Sequence, residues 1–311
     1  MLSRVAENIY WMARYMERAE DTTRLINSTS NLLLDLPRHA AVEWYELVRV
    51  FGAEEQFKEL FDEDQSERAV MKFLITDKRN TNSIINCIDS ARENARVSRD
   101  IIPNEMWQQI NELYHFSSEY AKGSLSRRKR NDFMSALICR CQTIIGISMG
   151  TLPHDDAYQF LLIGRNLERA DMSSRIIDVG AAQLLPDQEE INPAFATVRW
   201  ISVLKSLNAF QAYRQQGFVG ISGTAILGYL LKSSEFPRSI HHCLDEVGAC
   251  LKVLHKPHTS RRKLNALIEE LESVDIKMLR RSGLHKYVDE LQLGIGNLHG
   301  VIVDTYFGIT D

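Results

Sequence analysis

Residues 16–26 read MERAEDTTRLI, and this stretch decides the fold. Together with Ile9 and Met12 just upstream, Met16, Ala19, Thr23 and Ile26 recur at steps of three and four. That spacing lays apolar groups on one side of an α-helix and leaves the charged residues between them on the other. The same string returns as LERADMSSRII at 167–177. Glu17/Glu168, Arg18/Arg169, Ala19/Ala170, Arg24/Arg175 and Ile26/Ile177 are identical, 151 residues apart, and Arg14/Arg165 extends the match upstream. A second pair, FLITDKRNTNSIINCI at 73–88 and YLLKSSEFPRSIHHCL at 229–244, keeps the order and shares Leu74/Leu230, Ser83/Ser239, Ile84/Ile240 and Cys87/Cys243. Two collinear matches point to an internal duplication. The chain is therefore expected as two helical halves, 1–151 and 152–311, joined at the breaker Gly150-Thr151-Leu152-Pro153 and packed as one unit. A shared SRRK at 126–129 and 260–263 lies out of register and is set aside as coincidence.

Outward from these strings the periodicity stays helical. The seven prolines, Pro37, Pro103, Pro153, Pro186, Pro193, Pro237 and Pro257, fall where periodic segments start or stop, as the missing N–H and fixed φ of proline require. Helices are predicted over 4–30, 40–62, 66–76, 81–101, 103–121 and 129–149, then over 155–185, 194–214, 222–232, 237–255, 259–273 and 284–307. No strand alternation or Asn-Gly hairpin interrupts them. The expected fold class is all-α, a multi-helix bundle of about twelve helices in two pseudo-symmetric halves.

The 311 residues are 44% apolar and 25% charged with a net charge of −4. That excludes a disordered chain, collagen and a membrane-embedded bundle, and gives no global basic field for nucleic acid. The opening Met1-Leu2-Ser3-Arg4 reaches Glu7 and Arg14 too soon for a secretion signal. The longest apolar run, Leu137 to Leu152, is broken by Arg140. Five cysteines without a CxxC pair imply reduced thiols and a cytoplasmic protein.

Charges mark two candidate sites. On the first helix Arg14, Glu17, Arg18, Asp21 and Arg24 share one polar arc, and Arg165, Glu168, Arg169 and Arg175 repeat it in the second half. One reading is a solvated face braced by pairs such as Arg14–Glu17 or Glu20–Arg24, each contributing about 0.2–0.5 kcal/mol. Others are Glu-Arg pairs clamping the two halves, or a cleft where both motifs meet a polar ligand or partner. The second candidate is ARENARVSR at 91–99, where Arg92, Arg96 and Arg99 form a cationic stripe suited to carboxylates or phosphates. Trp107 in the next helix reads as core, and Arg127-Arg128-Lys129-Arg130 as a solvated helix start.

Sharper chemistries fit poorly. Glu112 and His115 give one ExxH where a di-iron bundle uses two. Cys139 and Cys141 lack zinc-spaced partners, and His241 and His242 are adjacent, so they diverge on a helix. Gly217, Gly220 and Gly223 are not followed by the Lys-Ser/Thr of a P-loop, and Phe218 to Gly223 reads as a tight interhelical turn. No metal ligand, directly bound cofactor or catalytic residue is assigned.

MLSRVAENIYWMARYMERAEDTTRLI at 1–26 resembles the bacterial alpha-E family, helical proteins named for a Glu-Arg motif. SARENARVSRDIIPNEMW at 90–107, IGRNLERADMSSRIIDV at 163–179 and EFPRSIHHCL at 235–244 are similar to the same family, with Pro103-Asn104 where a serine-rich turn is expected. The resemblance implies a circularly permuted ATP-grasp protein as partner, ATP and Mg used by that partner, and a transglutaminase-like peptidase as a frequent companion. It also implies chemistry on amide bonds of a peptide-like or anionic small substrate, and places the motif at Glu17-Arg18 and Glu168-Arg169. Three roles follow as expectations. The first is an accessory or substrate-binding component of that system. The second is an enzyme in its own right, with Glu17 and Glu168 as acid/base groups beside the arginines. The third is a scaffold or homo-oligomer. No nucleic acid or membrane partner is expected.

Overall fold

The computed structural model describes residues 3–35, 43–182, 193–217, 220–281 and 283–308. Pro37, Pro186 and the Phe218-Val219 part of the expected turn lie outside them. The described residues form fifteen α-helices and no strand. In chain order these are α1 (Ser3–Asp35), α2 (Glu46–Val50), α3 (Glu54–Phe61), α4 (Glu67–Met71), α5 (Ile84–Val97), α6 (Asn104–Tyr120), α7 (Arg127–Thr151) and α8 (Asp156–Ala182). They continue as α9 (Pro193–Ser206), α10 (Phe210–Gln215), α11 (Gly223–Lys232), α12 (Ile240–Val253), α13 (His258–Ser273), α14 (Ile276–Arg281) and α15 (Leu284–Tyr306).

All twelve expected helices are present, and three local differences account for the other three. The helix expected over 40–62 breaks at Gly52, which takes φ 58°. The one expected over 194–214 breaks at Asn208, φ 53°, a left-handed conformation that asparagine tolerates better than most residues. The short α14 was not anticipated. In addition, α4 opens into a π-turn at Lys72–Thr76 before the chain leaves the helix. Serines start three helices by accepting an N–H of the first turn: Ser66 from Ala69, Ser83 from Asn86 and Ser239 from His242. Ser83 and Ser239, matched in the repeat, each open a helix of 14 residues with a buried cysteine, Cys87 or Cys243, in its first turns.

The chain divides into two compact units. One gathers Met1–Asn27, Trp44–Glu168 and Tyr306–Asp311, the other Ser28–Glu43 and Arg169–Thr305. These limits fall inside α1 and α8, away from the Gly150–Pro153 breaker at which the two halves are expected to join. In the first unit α5 packs on α6 and α6 on α7. Phe57 stacks on Phe61 at 5.0 Å and meets Phe73 edge-on at 5.2 Å, with Ile9, Met12 and Leu74 among its buried side chains. In the second unit α12 packs on α13 and α11. Trp200 is buried where Gly223 leaves room for it: a Cβ there would lie 2.8 Å from the indole. Helix α7 is the one helix among the described residues long and apolar enough, by length and composition, to cross a membrane. Phe133, Met134, Leu137, Cys141 and Ile144 on it are buried in the protein.

One contact positions the site described below. Gly164 of α8 lies against the backbone of Tyr10 in α1, so that a Cβ on Gly164 would overlap the Tyr10 carbonyl oxygen and sit 3.1 Å from its carbon. Backbone atoms cannot swing aside as a side chain does. Gly164→Ala should therefore force the helices apart and cost about 1–3 kcal/mol, read as a lower Tm by circular dichroism. Gly146→Ala is the matched control: its Cβ would meet nothing within 4 Å, so it should be neutral or stabilise by up to about 1 kcal/mol. Equal effects of the two would sink the close-approach account.

Candidate functional site

The polar arc of α1 is not solvated. Glu17 is 1% exposed, Glu20 and Asp21 2%, and Arg14 8%. The helix buries both its faces, one apolar and one ionic, so the reading of an exposed salt-bridged face is overturned. Burying charge costs several kcal/mol per ion unless partners compensate. For Arg14 and Arg18 the first unit supplies them across α1 and α8.

Glu168, 0% exposed, is the centre. Arg14, one turn beyond Tyr10, donates from Nε to its Oε2 at 2.7 Å. Arg18, one turn further, grips both oxygens, from Nε to Oε1 at 2.5 Å and from Nη2 to Oε2 at 3.0 Å. The close approach at Gly164, one turn before Glu168, makes these reaches possible. The remaining guanidinium edges are also used. Arg14 Nη1 donates to the Tyr10 hydroxyl at 3.2 Å and Arg18 Nη1 to Asn82 Oδ1 at 2.6 Å. The Arg14 guanidinium lies 5.3 Å from the Trp11 ring centre, and that of Arg18 5.8 Å from Tyr15. So a carboxylate of the second Glu-Arg motif meets the arginine of the first.

Asn82 was not anticipated from the sequence. It belongs to the polar loop after the π-turn, cross-braced by its own side chains. The Asn82 N–H donates to Asn80 Oδ1 at 3.0 Å, Asn80 Nδ2 to the Phe73 carbonyl at 3.0 Å, and Asn86 Nδ2 to the Asn80 carbonyl at 2.7 Å. The only sequence signal was the cluster Asp77, Asn80, Asn82 and Ser83, whose short side chains fold back on nearby backbone.

Further along α1, Arg24 Nε pairs with Glu20 at 2.7 Å, as the spacing anticipated, and Arg175 Nε pairs with Asp171 at 2.9 Å at the corresponding place on α8. In the second unit Arg169, 8% exposed, donates to the Pro237 carbonyl at 3.3 Å, and Ser173 Oγ to the Arg238 carbonyl at 2.9 Å. Arg165 reaches Met149 Sδ at 3.9 Å.

The arginine stripe is offset by its own neighbours. Helix α5 ends at Val97, leaving Arg99 in the turn beyond it. Arg92 Nε donates to Asn111 at 2.8 Å, while Arg92 and Arg96 both pair with Glu93, at 3.0 and 2.8 Å. Trp107 is half-buried rather than core, with the guanidiniums of Arg92 and Arg99 at 5.7 and 5.1 Å from its ring. The stripe thus serves the α5–α6 packing, and Arg99 alone of the three has no carboxylate partner among the described residues.

Electrostatics follow from these contacts. Burial pushes the Glu168 carboxyl up, but Arg14 and Arg18 outweigh it and hold it at about 2. Burial also opposes the charge of Arg18, and Glu168 more than restores it. Burial pushes the Cys87 thiol up to about 12, against the pull of Arg18, and drives Cys141 well above its ordinary value beside Glu20 and Glu17. For metals, Asp178, His285 and Asp289 bring ligand atoms within 4.8 Å of one another, a grouping the sequence reading did not single out. The hydrogen bond that His285 Nδ1 donates to Asp178 raises the His285 pKa, favouring an imidazolium between two carboxylates, at 2.9 and 3.5 Å.

A family model described as a predicted alpha-helical domain with a conserved ER motif matches residues 1–307. No curated protein and no solved structure matches the chain.

Two measurements check the geometry. A carboxyl with a folded pKa below its unfolded one stabilises above the unfolded value and loses that stability as pH falls through the folded value. Glu168 should therefore contribute an acid limb between its ordinary 4.5 and about 2. Glu168→Gln should flatten that limb and, by leaving two buried guanidiniums short of charge, cost about 3–5 kcal/mol in urea unfolding near neutral pH. An unchanged acid limb in the variant would refute the clamp. For the thiols, Cys139 is exposed while Cys87, Cys141, Cys243 and Cys250 are buried. One fast thiol should react with a chromogenic disulfide in the native protein and all five in denaturant; two or more fast native thiols would contradict the burial.

Proposed function

The chain belongs to the Alpha-E family, and from that premise we propose that it is a non-catalytic partner of an ATP-grasp enzyme, helping to place a peptide-like substrate for amide-bond formation or modification. ATP and Mg belong, in this reading, to the partner. The observation that carries it is the state of Glu168. A general acid or base near pH 7 works best with a pKa near 7, and this carboxylate is held at about 2. Its two oxygens already accept three N–H bonds from Arg14 and Arg18. A group so committed has no proton to give at neutral pH and little basicity to take one. That counts against Glu168 as the acid/base group of a self-sufficient enzyme, and favours a motif that sets shape while other surfaces meet the partner. Reduced thiols fit a cytoplasmic setting for such a pair.

The test is reconstitution with a circularly permuted ATP-grasp protein from the same cells. Size-exclusion chromatography with light scattering reads association, and ADP release in the presence of a peptide acceptor reads chemistry. The expected result is co-elution with ADP release several-fold above that of the ATP-grasp protein alone, and no ADP from this chain by itself. Neither co-elution nor stimulation would overturn the proposal, leaving the scaffold reading. Turnover by this chain without the partner would restore the enzyme reading.

A further inference from the structure

We propose that the cavity at the start of α7 binds a small phosphate-bearing anion. This open cavity of about 550 Å³ is lined by Glu67, Arg68, Lys122, Leu125, Ser126 and Lys129 among others, a volume within the range of small-ligand sites. Its one carboxylate is already spoken for. Arg127 donates to Glu67 from Nε, at 2.9 and 2.8 Å, and again from Nη2, while Arg130 Nη1 adds a bond at 2.7 Å. Arg130 is 3% exposed and fixed, with Nε on the Ser124 carbonyl at 3.2 Å and Nη2 on that of Leu125 at 3.1 Å. Two guanidiniums on one carboxylate leave the wall net positive before the remaining cations are counted.

Those cations are exposed and uncompensated. Arg68, Lys122 and Lys129, with Arg128 beside them in the chain, have no ion-pair partner among the described residues. This happens in a protein whose net charge is −4, so the concentration of positive charge here runs against the composition. The helix end strengthens it. Helix α7 has 25 residues and no acidic residue in its first turn, and the Ser126 side chain does not cap it, its Oγ donating instead to the Gly123 carbonyl at 2.9 Å. Basic residues at the positive end of a helix are destabilising, an arrangement that an anion reverses. Guanidinium and ammonium groups around a hollow suit a multiply charged phosphoryl group better than a single carboxylate. Three free cations suit two linked phosphoryl groups, whether of a free diphosphate or of the diphosphate end of a larger molecule.

A second hollow provides an internal control. It measures about 440 Å³ on α13 and is lined by His258, Arg261, Arg262, Asn265, Ala266 and Glu269. There two arginines share the wall with a carboxylate that no arginine pair occupies among the described residues. The inference does not depend on the proposed partner and is tested on the full chain alone. Inorganic pyrophosphate is titrated calorimetrically at low ionic strength, where exposed charges are least screened. One site with a submillimolar Kd is expected. Lys122→Gln/Lys129→Gln should weaken it at least tenfold, and Arg261→Ala/Arg262→Ala, which removes the same charge elsewhere, less than twofold. Circular dichroism and Tm confirm that both variants fold, and Arg68→Gln gives a second, single-site readout with a loss in the same direction. Absence of binding at millimolar pyrophosphate, equal weakening in the two double variants, or binding of citrate as tight as that of pyrophosphate would each overturn the proposal.

Discussion

The arrangement of α1 against α8 in the first unit depends on one buried carboxylate. Glu168 has no exposure, and an isolated carboxylate there would cost several kcal/mol. Arg14 and Arg18 offset that cost with three hydrogen bonds, at 2.7, 2.5 and 3.0 Å. Two cations around one anion then need further acceptors, which the Tyr10 hydroxyl and Asn82 provide. All of this requires the helix backbones to be close, which is the part Gly164 plays one turn earlier. A buried ionic cluster adds little net stability over an apolar one of equal size, yet losing a single partner is expensive. Its physical effect is therefore to select a register. A slip of one turn, about 5.4 Å along the axis, would strand charges on both helices.

The repeated motif makes the two units comparable without being copies. Arg18 ties its helix to the loop before Ser83 through the Asn82 side chain, and Arg169 ties its helix to the loop before Ser239 through the Pro237 carbonyl. A side-chain acceptor demands a particular residue, whereas a backbone carbonyl is supplied by any. That difference explains how arginine and capping serine stay identical between the repeats while the loop residue beside the serine is Asn82 in one and Arg238 in the other.

Helices were legible in the sequence because apolar spacing and proline placement are local signals. The breaks at Gly52 and Asn208 were not, since each rests on a single left-handed residue inside a periodic run. At the site, the charges were legible from their recurrence and the Glu20–Arg24 pair from its spacing, but their burial was not. Periodicity reports which residues share a face and says nothing of what covers it. Asn82 and Gly164 escaped for a related reason, because their importance lies in a partner far away in the chain. The spacing of Arg92, Arg96 and Arg99 shows a cationic stripe but not that Glu93, one place after Arg92, pairs with the first two.

The polar atoms of Glu168 and Arg18 are taken up by one another and by their neighbours. Glu168 accepts from both arginines, and Arg14 and Arg18 each extend to a further acceptor, so little of the cluster is left to recognise a ligand. Around α7 the balance is reversed: Glu67 is covered while Arg68, Lys122 and Lys129 face solvent. Charges that satisfy one another inside fix the shape, and charges left over outside are where binding energy remains to be gained. On the proposed division, the Glu168 cluster holds the shape of the first unit, and recognition falls to the surfaces around it.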